Sequence, residues 1–146
     1  MADIVDAKTR SRMMAGIKGR NTTPEVRLRK ALHSAGFRFR LHAAKLPGRP
    51  DIVLPRSRAA IFVHGCFWHR HDGCGNASVP KTNAAFWEEK FARNVARDAT
   101  NISSLHEAGW RVAIIWECAI RKMGEADVVA GLDVWLKSDG RDLEIG

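Results

Sequence analysis

Only three cysteines stand among the 146 residues, an odd number, and no stretch of the chain has the make-up of a secretory signal. A disulfide framework is therefore not expected, since disulfides pair their cysteines and persist in oxidising compartments. Long apolar runs are also missing. No run approaches the roughly eighteen residues that a membrane-spanning helix needs, and no lipidation signal is visible. The chain reads as soluble and cytoplasmic. Negative charge is scarce, with 16 acidic against 24 basic side chains, a formal net charge of +8 and a pI near 10.0. Such a surplus favours a polyanionic partner, because clustered Lys and Arg gain from counterion release on meeting phosphates, and nucleic acid is the natural candidate. Internal repeats, low-complexity tracts and linkers are absent. A chain of 146 residues, 45% of them hydrophobic, suffices for one core but not comfortably for two, so residues 1–146 are expected to form a single domain.

What is present is concentrated. His64-Gly-Cys-Phe-Trp-His-Arg-His-Asp-Gly-Cys74 holds three histidines, two cysteines and two large aromatics. Cys66, His71 and Cys74 are spaced so that a short loop can fold them onto one tetrahedron, and zinc prefers such sulfur and imidazole ligands. Cys118, after the apolar run Val112–Trp116, supplies the fourth. On spacing alone His69 could replace His71. The plain alternative, buried cysteines acting as small hydrophobes, does not account for the clustered histidines.

Residues 1–22 carry Lys8, Arg10, Arg12, Lys18 and Arg20 around Met13, Met14 and Ile17, and read as a basic arm, either solvated or DNA-contacting. Thr22-Thr-Pro-Glu25 reads as a helix start, with Glu25 completing a capping box, and a helix to about Ala35 with Leu28, Leu32 and Ala35 inward. Phe37, Phe39 and Leu41 alternate with Arg38 and Arg40 as a half-buried strand. A turn at Leu46–Pro50 delivers Asp51 to the strand Ile52–Leu54. Ala59–Val63 reads as a central strand buried on both faces. A long helix from about Ala84 to Glu107 has the stripe Phe91, Val95, Ile102 and Leu105. Asp98 falls in the gap of that stripe, where a carboxylate needs a partner. A second face aligns Trp87, Lys90, Asn94 and Arg97, a composition suited to nucleic acid. Val112–Trp116 reads as a further strand and Glu125–Leu136 as a last helix with Val128, Leu132 and Trp135 inward. The tail, 138–146, reads as frayed. The order of elements predicts a mixed α/β sandwich.

Strand-borne Asp51, the histidines after the next strand, and Asp98 suggest metal-assisted phosphodiester hydrolysis. Asp51 is a hard oxygen ligand suited to Mg²⁺, and a His69–Asp98 pair makes a base with a fixed tautomer. His64 and Glu25 are placed to bind waters around the metal.

These motifs carry a resemblance. Leu46-Pro-Gly-Arg-Pro-Asp51, Phe62-Val-His-Gly-Cys-Phe-Trp-His69, Phe86-Trp87, Asn94-Val95 with Arg97-Asp98, and Gly109-Trp-Arg-Val followed by Trp116-Glu-Cys118 are similar to those of the very-short-patch repair (Vsr) endonucleases, over roughly residues 8–120. The resemblance implies a restriction-endonuclease-like, PD-(D/E)XK-related α/β fold with a mixed sheet flanked by helices and a structural zinc loop. It implies Mg²⁺-dependent nicking of duplex DNA 5′ of the thymine of a T:G mispair left by 5-methylcytosine deamination. Asp51 and the backbone carbonyl of Val63 would hold Mg²⁺, His69 would be the base and Asp98 its orienter, and Glu25 and His64 would order metal-bound waters. Cys66, His71, Cys74 and Cys118 would hold zinc, leaving His69 free. Phe67, Trp68 and Trp87 would wedge beside the mispair, with Met14, Lys90 and Asn94 completing the grip. Between His71 and Cys74 stand Asp72 and Gly73, one residue more than the family pattern has, and Gly73 accommodates it. A mispair has no two-fold symmetry, so a monomer is expected. Mismatch-repair proteins and a cytosine methyltransferase are partners implied by the family alone, and association with the nucleoid would follow from DNA binding.

The competing readings are a restriction-like or broad mismatch-nicking nuclease, for which the same residues would serve, and a non-catalytic zinc-containing DNA-binding module, which leaves Asp51, His69 and Asp98 unexplained. A nucleobase deaminase is disfavoured, because none of His64, His69 and His71 is followed two positions later by glutamate.

Overall fold

The computed structural model describes residues 22–146; the basic arm up to residue 21, with Met14, lies outside them. The elements run α1 (Thr23–Ser34), β1 (Arg40–Leu41), β2 (Ile52–Leu54), a short 3₁₀ turn (Pro55–Ser57), β3 (Ala59–His64), α2 (Ala84–Glu107), β4 (Arg111–Trp116), α3 (Glu117–Met123), α4 (Glu125–Leu136) and β5 (Asp142–Ile145). They form a mixed five-stranded sheet in the order β1-β2-β3-β4-β5, antiparallel from β1 to β3 and parallel from β3 to β5.

Strand alternation divides the core into two layers. Ala59 and Ile61 of β3, with Ala113 and Ile115 of β4, meet Leu28 and Leu32 of α1 and Val128, Leu132 and Trp135 of α4. On the opposite face Ala60, Phe62 and Val112 meet Leu105 and Ile102 of α2. Helix α1 starts where its capping signal places it: Thr22 Oγ1 accepts from the Glu25 N–H at 3.4 Å, and Pro24 occupies the first turn. The Glu25 carboxylate also meets Arg29 and His42.

Four expectations change. The helix stops at Ser34, so Ala35 is its exposed C-cap. The alternation from Phe37 to Leu41 yields only Arg40–Leu41 as strand, because Phe37 and Phe39 pack on the core from an irregular approach. Val95 is 46% exposed, so the inward stripe of α2 is interrupted over its middle, and Asp98 is half-buried instead of enclosed. The tail is not frayed: Leu143 and Ile145 pair with Ala113 and Ile115 in parallel register and pack against the core, which covers the edge β4 would otherwise expose. No helix among the described residues is long and apolar enough to cross a membrane.

Truncation after Ser138 should thus destabilise the chain by about 2 kcal/mol, since it uncovers two half-buried aliphatic side chains and an edge. Urea unfolding of the full and shortened chains checks this, and an unchanged midpoint would contradict the pairing of β5.

Candidate active site and metal centre

The site gathers where β3 and β4 end and β2 begins, the edge of an α/β sheet at which ligands commonly bind. Ile52 pairs with Ile61, so Asp51 stands one step before the paired segment, beside the end of β3. There its Oδ2 accepts from the Val63 N–H at 2.7 Å. From below, α1 brings in Glu25, 1% exposed. Its Oε2 accepts from Arg29 Nη1 at 3.0 Å and lies 2.9 Å from His42 Nε2.

Burial of two neighbouring carboxyl groups has a clear electrostatic consequence. Removal from water, then the adjacent Glu25, raises the Asp51 acid to about 7 from 3.8, while the Val63 N–H and His69 partly oppose this. Two carboxylates that resist ionising together form a site that a cation would relieve, and carboxylate oxygens of Glu25 and Asp51 and a ring nitrogen of His42 lie within 4.8 Å of one another.

β3 ends in His64, and the turn after it returns His69 onto the same spot: the two imidazoles stack at 3.9 Å with planes 4° apart. Stacked imidazoles would repel if both were charged. Burial first, and His69 second, lower the His64 pKa to about 3 from 6.5, so His64 is neutral at pH 7. Helix α2 supplies Asp98, whose Oδ2 lies 2.6 Å from His69 Nδ1. A carboxylate only accepts, so Nδ1 carries the proton and Nε2 keeps its lone pair, the arrangement of an oriented base. His69 and Asp98 line an open cleft that Arg49, Arg97 and Asn101 flank, so cations and amides border the oriented imidazole.

Immediately beyond, the loop after β3 closes a second cluster. Cys66, His71, Cys74 and Cys118 offer ligand atoms within 4.8 Å of one another. His71 Nδ1 lies 3.5 Å from Cys66 Sγ and 3.4 Å from Cys118 Sγ. Bonds of about 2.3 Å to sulfur and 2.0 Å to nitrogen in a tetrahedron separate such atoms by about 3.5 Å, so the donor set fits a tetrahedral metal ion. Cys118 comes from the first turn of α3, just past the strand end from which the sequence placed it. His71 stacks on Trp116 at 4.3 Å, and Glu117 Oε1 accepts from the Cys66 N–H at 3.3 Å. Burial holds the Cys66 thiol well above its ordinary range, whereas the Asn76 N–H draws Cys74 down to about 7. Gly73, between His71 and Cys74, takes φ 72, which glycine adopts freely.

Phe67, Trp68 and Trp87 form one half-buried aromatic cluster. Phe67 meets Trp68 edge-on at 5.0 Å and Trp87 at 5.9 Å, and Lys90 Nζ lies 5.6 Å from the Trp68 ring. Asn94 differs from the outward-reaching amide its helix face suggested: Nδ2 donates to the Trp68 carbonyl at 3.1 Å and Oδ1 accepts from Arg97 at 2.7 Å. It fixes the loop from within.

Arg70, His42 and Arg29 were all missed by the sequence reading. Arg70 donates to the carbonyls of Phe67, Ala77 and Ser78 and lies 4.0 Å over the Phe91 ring, bracing the aromatic loop. A lone arginine within a histidine run gives no such signal. His42 sits in a short loop with no motif around it. Arg29, by contrast, stands four positions after Glu25 and its pairing was readable from that spacing.

Comparison with known proteins gives the chain its family. The family described as DNA mismatch endonuclease Vsr matches residues 2–75. The DNA mismatch endonuclease Vsr of Escherichia coli (strain K12) is 45% identical over 148 residues, covering 99% of this chain and 94% of that protein. The type II nicking enzyme V.XorIIP of Xanthomonas oryzae pv. oryzae is 44% identical, covering 85% of this chain and 90% of its own. A third relative, V.NmeAIP of Neisseria meningitidis serogroup A, is 40% identical over 83% of this chain and 86% of its own. With that identity carried along nearly its whole length, the chain belongs to the Vsr family of DNA mismatch endonucleases.

Proposed function

We propose that the chain is a Mg²⁺-dependent endonuclease that nicks duplex DNA 5′ of the thymine in a T:G mispair, the lesion left by deamination of 5-methylcytosine, and so starts very-short-patch repair. The observation that carries the chemistry is the 2.6 Å bond from His69 Nδ1 to Asp98, set beside the buried pair Glu25 and Asp51. The fold belongs, in this reading, with the restriction endonucleases, as a single domain whose basic arm at 1–22 reaches DNA.

Hydrolysis adds water to phosphorus and breaks the bond to the 3′ oxygen, which departs as a hydroxyl by taking a proton from solvent. His69 takes the proton of that water at Nε2, and Asp98 stabilises the imidazolium that results. Neutral His64, with Glu25, would order waters around Mg²⁺. Asp51, with the Val63 carbonyl, would hold Mg²⁺, which would supply positive charge against the phosphate. Arg49 and Arg97 stand at the cleft to meet the backbone on either side of the scissile phosphate. Cys66, His71, Cys74 and Cys118 hold a structural Zn²⁺, with no ligand position left for a substrate.

Recognition falls to Phe67, Trp68 and Trp87, which enter the stack beside the mispair; unstacking is least costly at a mismatch. Lys90 and Met14 complete the grip, and Asn94 acts by holding the Trp68 carbonyl. The partner is double-stranded DNA with a mispair, met by a monomer, and mismatch-repair proteins are the next partners to seek.

End-labelled duplexes with a central T:G pair in varied flanks should be nicked once, 5′ of the mispaired T, with Mg²⁺ and not with EDTA, while matched T:A and C:G duplexes stay intact. His69→Ala should lower the rate by roughly 10²–10⁴-fold. Cutting of matched duplexes would instead identify a restriction-like nuclease, and binding without cutting a DNA-binding module.

Cation binding must displace the proton that Asp51 holds up to about 7. Mg²⁺ affinity measured by calorimetry should thus rise roughly tenfold per pH unit below that value and level off above it. Folding responds with the opposite sign: a raised acid means that metal-free protein loses stability from this group as pH climbs from 3.8 toward about 7.

A strong chelator should release one Zn²⁺ per chain, read by mass spectrometry of the metal, and lower the melting temperature. Cys118→Ser should abolish that stoichiometry, since it removes the one ligand from outside the loop.

A further inference from the structure

His42 has no role in the reaction as written, yet its ring reaches the most buried carboxylate of the site. Nε2 lies 2.9 Å from Glu25 Oε2, and the imidazole is 19% exposed. Because a carboxylate only accepts, Nε2 carries the hydrogen of this bond. The backbone that presents the ring is unusual: His42 has φ 47, a left-handed conformation that residues other than glycine seldom adopt. Such outliers persist where their surroundings over-determine them, and they gather at functional sites. Here the surroundings are the β2 approach. The His42 N–H donates to the Asp51 carbonyl at 3.1 Å, and the Ala43 N–H to the Pro50 carbonyl at 3.3 Å.

Consequently His42 moves with Asp51, although its side chain holds Glu25. Arg29 touches the same oxygen from four residues along the same helix, so its bond to Glu25 is one made within α1. A bond from the β2 side refers the carboxylate to β2, and two carboxylates that meet one cation, Asp51 directly and Glu25 through its waters, need a fixed separation.

We propose that His42 is a positioning residue of the nuclease site, whose Nε2–H, fixed to the Asp51 backbone, holds the Glu25 carboxylate in register with Asp51 so that the two act as one cation-binding pair. This rests on the nuclease reading for its purpose, and on the two sets of hydrogen bonds for its geometry.

The test uses two variants of the full chain that match in length and differ in the donor: His42→Gln keeps an N–H near the position of Nε2, and His42→Met does not. Mn²⁺ binding, followed by its electron paramagnetic resonance signal, should weaken roughly tenfold in His42→Met and stay within about threefold of wild type in His42→Gln. Mg²⁺-dependent nicking of the T:G duplex should follow the same order, through kcat with KM for DNA unchanged. Far-UV circular dichroism establishes that both variants are folded. Should His42→Met not fold, His42→Gln decides: wild-type Mn²⁺ affinity supports the assignment and a tenfold loss overturns it. Equal Mn²⁺ affinity in two folded variants overturns it too, whatever the nicking assay gives. If wild type never nicks while the Mn²⁺ difference holds, the nuclease reading fails and the role of His42 stands.

Discussion

Two carboxyl groups, Glu25 and Asp51, share the buried end of the sheet, and their mutual repulsion is the constraint that the surrounding structure answers. Each comes from a different element, α1 and the start of β2, and each is partly compensated locally: Glu25 by Arg29 and His42, Asp51 by the Val63 N–H. The compensation is incomplete. An Asp that keeps its proton to about 7 shows that the dry surroundings outweigh a hydrogen bond of 2.7 Å. A site left short of positive charge in this way favours a divalent cation over any further hydrogen bond. The antiparallel register of β2 on β3 is what makes the crowding unavoidable, because it sets Asp51 against the strand end from which the histidines emerge.

The Cys/His cluster has a different task, and its location explains it. The segment from Gly65 to Asn83 contains no regular helix or strand, so little backbone pairing holds it. Cys118 ties it to α3, Glu117 accepts from the Cys66 N–H, and Arg70 gathers the carbonyls of Phe67, Ala77 and Ser78. A metal ion at the four donors would complete this frame, replacing the secondary structure that the loop lacks. His69 and the aromatic pair Phe67 and Trp68 would then owe their placement to the same frame.

How much of this was legible follows from the kind of signal each part carries. Residues whose identity repeats with a period were readable: the unbroken apolar β3, and α4 with Val128, Leu132 and Trp135 inward. So were residues whose chemistry is rare, the cysteines and clustered histidines. Short elements held by tertiary contact were not. β5 has only four residues, two of them charged, and forms because β4 offers an unpaired edge, which no local pattern records. Val95 fits the helical period of α2 yet stays exposed, because periodicity gives a direction and not the extent of the partner surface. His42 depended on a left-handed backbone and a loop closing onto Asp51, both properties of the folded chain.

The juxtaposition of Trp68 and His69 links recognition to chemistry without any additional device. Asn94 on α2 holds the Trp68 carbonyl, and Asp98, one turn further along the same helix, holds the next residue's imidazole. Helix α2 therefore grips two consecutive residues of the loop, one belonging to the proposed wedge and one to the proposed base. Trp87 and Lys90 approach the wedge from that helix as well. A rigid body that carries both cannot seat its aromatics in a duplex without also fixing where the base stands relative to the backbone. In a matched duplex the stack resists the wedge, so the same rigidity would keep His69 out of line with phosphorus. On the proposed reading, selectivity for a mispair would then need no separate sensing step: it would follow from the short, doubly anchored path between Trp68 and His69.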